Sequence, residues 1–210
     1  MSKLYLAALF AAAAAPAAQA APPAPAPATI APSIDSAKER QVLRNLSSCL
    51  AQRRPVWARQ TLAEPYLSTE QARQAAQALR GDDTCLKGEE VEVTFRTSGV
   101  VGSLAEHFLK ADMARTDAQR LATVLNTMEP KNASEDFGLC VSAGDPESAS
   151  ALAMSEPGSD SEAKAVGQLA VQVSRCMRPG EKLSVDVQSL RALVSTALYR
   201  GVTTALASRS

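Results

Sequence analysis

From Ser36 to the C-terminus, apolar residues recur mainly at three- and four-residue spacing, the period of helices that bury one face. This spacing predicts helices over Ser36–Gln52, Pro55–Glu64, Asp117–Met128, Glu135–Val141 and Pro146–Ser155. The two that begin with proline carry it in the first turn, where its missing N–H leaves no bond unmade. Ala72, Ala75, Ala76 and Leu79 share a helical face that ends at Gly81. Ala163, Val166, Ala170, Val173 and Met177 form a comparable stripe that runs past Cys176. Ser68 and Asp160 stand just before these two runs as N-caps. Leu104, Ala105, Phe108 and Leu109 mark a helix over Val100–Lys110, and Leu190, Leu193, Val194, Ala197 and Leu198 mark its counterpart. Two short runs alternate instead: Val91, Val93, Phe95 and Leu183, Val185, Val187. They read as extended connectors tucked under the following helix, with a small two-stranded pairing between repeats as the alternative.

Self-comparison organises these elements. Cys49 and Cys85 are 36 residues apart, as are Cys140 and Cys176, and the pairs are offset by 91 residues. Pro55 matches Pro146. Glu64-Pro65 matches Glu156-Pro157 with a one-residue insertion, and Ser68-Thr69-Glu70 then matches Asp160-Ser161-Glu162. Gly88-Glu89 matches Gly180-Glu181 after one further gap. The fold expected is all-α, a tandem duplication of a small disulfide-stapled helical repeat, with repeat 1 over residues 35–115 and repeat 2 over 116–210.

The N-terminus is of a different kind. Lys3, the apolar run Leu4–Ala15 and Ala18-Gln19-Ala20 have the order of a secretory signal peptide over residues 1–20, too short in its apolar part to span a bilayer. Residues 21–34 are a Pro/Ala-rich linker with extended polyproline preference. The expected location is periplasmic or secreted, with no integral membrane segment in the mature chain. Basic and acidic residues balance at 22 each and spread over both halves, so the basic footprint of nucleic-acid binding is missing.

Four cysteines in an exported chain point to disulfides. No C-x-x-C pair supports a zinc or dithiol-redox site. Three pairings are open, and a repeat able to satisfy its own cysteines favours Cys49 with Cys85 and Cys140 with Cys176. Each closed loop stabilises by about 3–4 kcal/mol in the loop-entropy picture, a staple suited to an Ala-rich unit with few aromatics.

Chemistry is sparse. His107 is the only histidine, so any triad must use it. Ser161-Glu162-Ala163-Lys164 spells S-x-x-K, but the S-D-N and K-T-G partners are absent. Asp82-Asp83 and Glu89-Glu90 flank Cys85 without an ion-binding spacing, and no cofactor motif occurs, so no metal or cofactor is expected. Trp57 and Tyr66 flank the first short helix and lack aromatic counterparts in repeat 2, which makes them the candidate binding residues, with core packing as the favoured reading.

The paired Glu-Pro and Ser/Asp-Ser/Thr-Glu elements, a Cys followed by a basic residue and Gly-Glu, and the closing Leu190-Arg191-Ala192-Leu193 and Ala197-Leu198-Tyr199-Arg200 resemble uncharacterised exported two-repeat helical proteins of alphaproteobacteria. The resemblance implies no activity. The function expected is a non-enzymatic binding or structural module, which meets an envelope protein or cell-wall component through the groove between its repeats. The alternative is a hydrolase with a polar site at the repeat interface.

Overall fold

The computed structural model describes residues 29–31, 36–81, 83–86, 96–178 and 184–208. Helix α1 spans Ala37–Arg53, α2 Pro55–Ala63, α3 Thr69–Gly81 and α4 Thr97–Asp112, with a short 3-10 turn at Asp83–Leu86 before α4. A second 3-10 turn, Met113–Arg115, leads to α5 Ala118–Thr127, α6 Ala133–Gly144, α7 Pro146–Met154, α8 Asp160–Arg175 and α9 Val187–Ala207. The expected all-helical class holds.

Local chemistry starts these helices. Ser36 Oγ accepts from the Glu39 N–H while the Glu39 carboxylate accepts from the Ser36 N–H at 2.6 Å, a closed capping box. Asp117, Asn132, Asp145 and Asp186 cap α5, α6, α7 and α9 from one side only, the cap side chain accepting from the N–H three residues on. Ser68 caps α3 as expected, its hydroxyl accepting from the Gln71 N–H. The cap of α8, however, is Ser159, and Asp160 is the first helical residue.

That shift corrects the internal alignment. Pro55 and Pro146 open α2 and α7, and Thr69 and Asp160 open α3 and α8, 91 residues apart in each case. The turns between them therefore match without an insertion, and the two Glu-Pro pairs occupy neighbouring rather than equivalent positions. The buried stripe of α8 is also turned: Glu162, Ala165, Leu169 and Val173 face inward and Ala163 is exposed. In α3 the buried positions are Gln71, Ala75 and Ala78. In both helices a polar residue, Gln71 or Glu162, holds a core position and hides the true face from a hydrophobicity pattern.

The cysteines pair as expected, Cys49–Cys85 and Cys140–Cys176, both with Cα atoms 5.8 Å apart. The first bond ties α1 to the chain just beyond α3, and the second ties α6 to the chain just beyond α8. The long helices α4 and α9 form the centre, with Leu104, Leu109, Leu190 and Leu198 fully buried. Gly102 permits their approach, because a Cβ there would stand 2.5 Å from the Ala192 Cα.

One sheet pairing exists among the described residues. Strand β1, Thr29–Ala31, runs parallel to β2, Ser184–Asp186, with Ile30 opposite Val185. The expected alternative paired the two connectors. Here the partner of the second connector is instead the end of the Pro/Ala-rich linker, a residue pair far apart in sequence. Val187 is already helical, while Leu183 and the run Val91–Phe95 lie outside the described residues.

Candidate functional site

Helix α6 presents Ala133, Phe137 and Cys140 at i, i+4 and i+7, the spacing of one helical face. Opposite this face stand Leu193 of α9 and Val185 of β2, and Cys176 closes the wall through its bond to Cys140. Together they bound an open groove, about 970 Å³ with the space open to solvent counted in, and Asp136 and Arg178 contribute its charge. The walls are mainly apolar with few polar groups, the usual make-up of a site for an apolar ligand. The groove is lined by residues 133–193 alone, whereas the expected groove lay between the two halves of the sequence.

Beside it, sharing Ser134 and Leu193, is a tight recess that reaches Tyr66 in the first half of the chain. Its walls include Tyr66, Leu139, Thr196, Ala197 and the ion pair between Arg200 and Glu135, whose atoms are 2.5 Å apart. Burial pushes the Glu135 carboxyl up. The N–H groups of Tyr66 and Lys131, at 2.8 and 2.7 Å, and Arg200 outweigh that and hold it below its ordinary value. Tyr66 is only 2% exposed, and burial, reinforced by the Asp186 charge, raises its phenol well above the usual range.

A second cluster of charges lies between α1, α4, α8 and α9. Arg191 is 2% exposed; its Nε donates to Glu106 at 2.6 Å and its Nη1 to Glu162 at 3.0 Å. Arg40 donates to the same Glu162 oxygen at 2.6 Å. Arg44 donates to the Ser155 carbonyl at 3.0 Å and pairs with Glu156 at 2.9 Å. Burial works against the charge of both Glu162 and Arg191. Arg40, the Gly158 N–H and Arg191 nevertheless keep the Glu162 carboxyl low, and Glu106 and Glu162 keep the Arg191 guanidinium high. The cluster is interior and its ion pairs hold helices together, although Arg40 Nε and Arg44 Nε and Nη2 find no hydrogen-bond partner, so it is read as architecture.

The remaining candidates separate. Trp57 is half-buried against the core with the Arg54 guanidinium 5.6 Å from its ring, while Tyr66 belongs to the core itself, so the two do not form one exposed surface. Cys140 and Cys176 wall the groove, whereas Cys49 and Cys85 do not line it. His107 Nδ1 lies 2.9 Å from the Ser48 hydroxyl, at the contact of α1 with α4. Burial, then Lys110 and Arg59, lower its pKa and favour the neutral ring. No carboxylate hydrogen-bonds this ring among the described residues. Ser161 sits 2.8 Å from the capping Ser159 hydroxyl and Lys164 is exposed, with no bond between the S-x-x-K pair. Asp82, Glu89 and Glu90 lie outside the described residues, among which no cluster of His, Cys, Asp and Glu is placed to hold a metal.

No family model, curated protein or solved structure matches this chain. Among the described residues no helix is long and apolar enough to cross a membrane. Sequence reasoning missed Phe137, Val185 and Leu193 as site residues. The spacing of Ala133, Phe137 and Cys140 was the available signal, but which face of a short helix stays uncovered depends on the packing of its neighbours.

Proposed function

We propose that the protein is an exported, non-enzymatic binding module, built from a duplicated helical repeat, that takes an extended apolar segment of an envelope protein or cell-wall component into the groove of α6, α9 and β2. The observation that carries this reading is the groove itself: about 970 Å³ of open space walled by Phe137, Leu193, Val185 and a disulfide. Two disulfides suit an oxidising compartment. The test is titration of isotope-labelled protein with a short Ala/Pro-rich peptide. Amide shifts centred on Phe137, Val185 and Leu193, abolished by Phe137→Glu, are expected; shifts elsewhere or none would overturn the assignment.

A second reading, a hydrolase, is favoured by one observation, the 2.9 Å contact between Ser48 and His107. A base that close can activate a hydroxyl. Ser48 lies in the interior of α1, though, where its hydroxyl has no pair of backbone donors aimed at a developing oxyanion. Labelling by a serine-directed fluorophosphonate that Ser48→Ala removes would establish this reading; absence of labelling is expected.

A further inference from the structure

Basic and acidic residues balance over the chain, but between Glu39 and Glu64 stand five arginines and no acid. Arg40 and Arg44 are buried and answered by Glu162, Glu106 and Glu156. Arg53, Arg54 and Arg59 are exposed instead. They gather where α1 meets α2, since Arg54 closes the first helix and opens the second. Among the described residues no carboxylate forms an ion pair with Arg54, Arg59 or the exposed Lys110. The two guanidiniums lie against rings, Arg54 5.6 Å from the centre of Trp57 and Arg59 4.3 Å from that of Phe108. Lys110 stands in the same neighbourhood, because it and Arg59 both act on His107. In the first turn of α2, Val56 is 69% exposed and shares the outer face with Arg59 three residues on. The backbone does not demand this chemistry. At the α6–α7 corner Asp145 likewise ends one helix and opens the next ahead of a proline, and the side chains there are Asp145, Glu147 and Ser148.

We propose that the α1–α2 corner docks on the surface of an anionic phospholipid bilayer, with Val56 entering the headgroup boundary and Arg54, Arg59 and Lys110 meeting lipid phosphates. A guanidinium stacked on a ring keeps its in-plane N–H groups for phosphate oxygens, which it can grip with two bonds at once. A large apolar side chain held out in water gains by entering an apolar phase, and a tryptophan beside it suits the boundary between headgroups and acyl chains. The bilayer answers the cations and Val56 together, whereas the carboxylates of an acidic peptide answer the cations only. Each basic residue near an anionic surface strengthens partitioning roughly fivefold, so three of them supply roughly a hundredfold at low salt, and most of that is screened as salt rises. The groove of α6, α9 and β2 has no part in this inference, and either can fail without the other.

The experiment uses the chain from Ala21 onward, which carries every described element and leaves out the apolar run Leu4–Ala15, a segment able to insert by itself. It is mixed with vesicles of phosphatidylcholine alone, or of phosphatidylcholine and phosphatidylglycerol in equal parts, and bound protein is measured by cosedimentation. Trp57 is the only tryptophan, so its quenching by lipids brominated in the acyl chain reports contact at this corner. Binding to the anionic vesicles at least roughly tenfold tighter than to the neutral ones is expected, with Trp57 quenched. Arg54→Glu combined with Arg59→Glu should abolish it. Val56→Ser, at an exposed position and without a change of charge, should weaken binding roughly threefold or more and reduce the quenching. No binding to anionic vesicles, or equal binding to both kinds, would overturn the proposal. Binding that the double variant retains would place the contact on another surface. Binding that Val56→Ser leaves untouched, with Trp57 unquenched, would overturn insertion at this corner. Capture of soluble polyglutamate without binding to either vesicle would replace the bilayer by an acidic protein segment.

Discussion

The turn between α2 and α3 and the turn between α7 and α8 solve one problem with different side chains. Both contain a positive φ, at Leu67 (61°) and at Gly158 (78°), and both are closed by the third residue after the cap. In the first turn Gln71 both accepts and donates: its oxygen accepts from the Leu67 N–H and its amide donates to the carbonyls of Thr61 and Glu64. In the second turn Glu162 accepts from the Gly158 N–H but has no hydrogen to donate. The carbonyls of Ala153 and Ser155 are satisfied instead by Arg191 and Arg44, brought from α9 and α1. Changing an amide to an acid at one position thus goes together with a whole buried charge cluster. The exchange across the molecule is reciprocal and opposite in sign: Arg44 of α1 serves the α7–α8 turn, and Glu135 of α6 serves the α2–α3 turn through the Tyr66 N–H.

The comparison breaks hardest at Arg191. Arg191→Met leaves the buried Glu106 without its closest cation and Glu162 with Arg40 alone, and a loss of about 3–5 kcal/mol is expected for one partner removed from an interior pair. Arg200→Met should cost clearly less in the same urea titration, because Glu135 retains two backbone N–H donors. Equal losses would mean that the two clusters are alike after all.

Gln71→Glu imports the acid into the turn that has no arginine to answer it. The carbonyls of Thr61 and Glu64 lose their donor and a carboxylate replaces a buried amide, so a loss of about 2–3 kcal/mol is expected at neutral pH. A loss below about 0.5 kcal/mol would show that the amide donors do not matter.

Leu67 and Gly158 sharpen the comparison in opposite directions. Leu67 is 51% exposed, and Leu67→Gly should stabilise by about 0.5–1 kcal/mol, the relief of left-handed backbone less the added freedom of the unfolded chain. Gly158→Ala should destabilise, since its Cβ would also meet the Ala37 Cβ at 2.5 Å. Differential scanning calorimetry of the two variants reads both signs.

The smallest effect concerns acid. His107 binds its proton more weakly in the folded chain, so the unfolded chain takes up more protons and stability falls as pH drops below about 6.5. Lys110 and Arg59 are the charges that face the ring and oppose its protonation. His107→Asn should flatten the decline between pH 7 and pH 5, measured as the denaturation midpoint; an unchanged slope would remove His107 as its source.

Much of this architecture was legible in the residues. Pro55 and Pro146 marked helix starts, the 36-residue cysteine spacings marked the bridges, and the stripes of α4 and α9 were continuous enough to name. What stayed hidden was polar or distant. Glu162, Arg191 and Glu106 are interior because each finds its partner on another helix, which periodicity cannot register. Strand β1 was hidden in a Pro/Ala tract because its partner stands in the loop before α9, and of the two candidate aromatics Tyr66 is the one in the core, its backbone tethered by Glu135 and Asn132.

The Cys140–Cys176 bond forms part of the groove lining, and Cys140 is solvent-exposed. A reductant can therefore reach a strut that holds two walls at their spacing. Thiol and bridged forms of the chain would present different cavities to the same ligand, which links the molecule's capacity to hold anything there to the redox state of its surroundings.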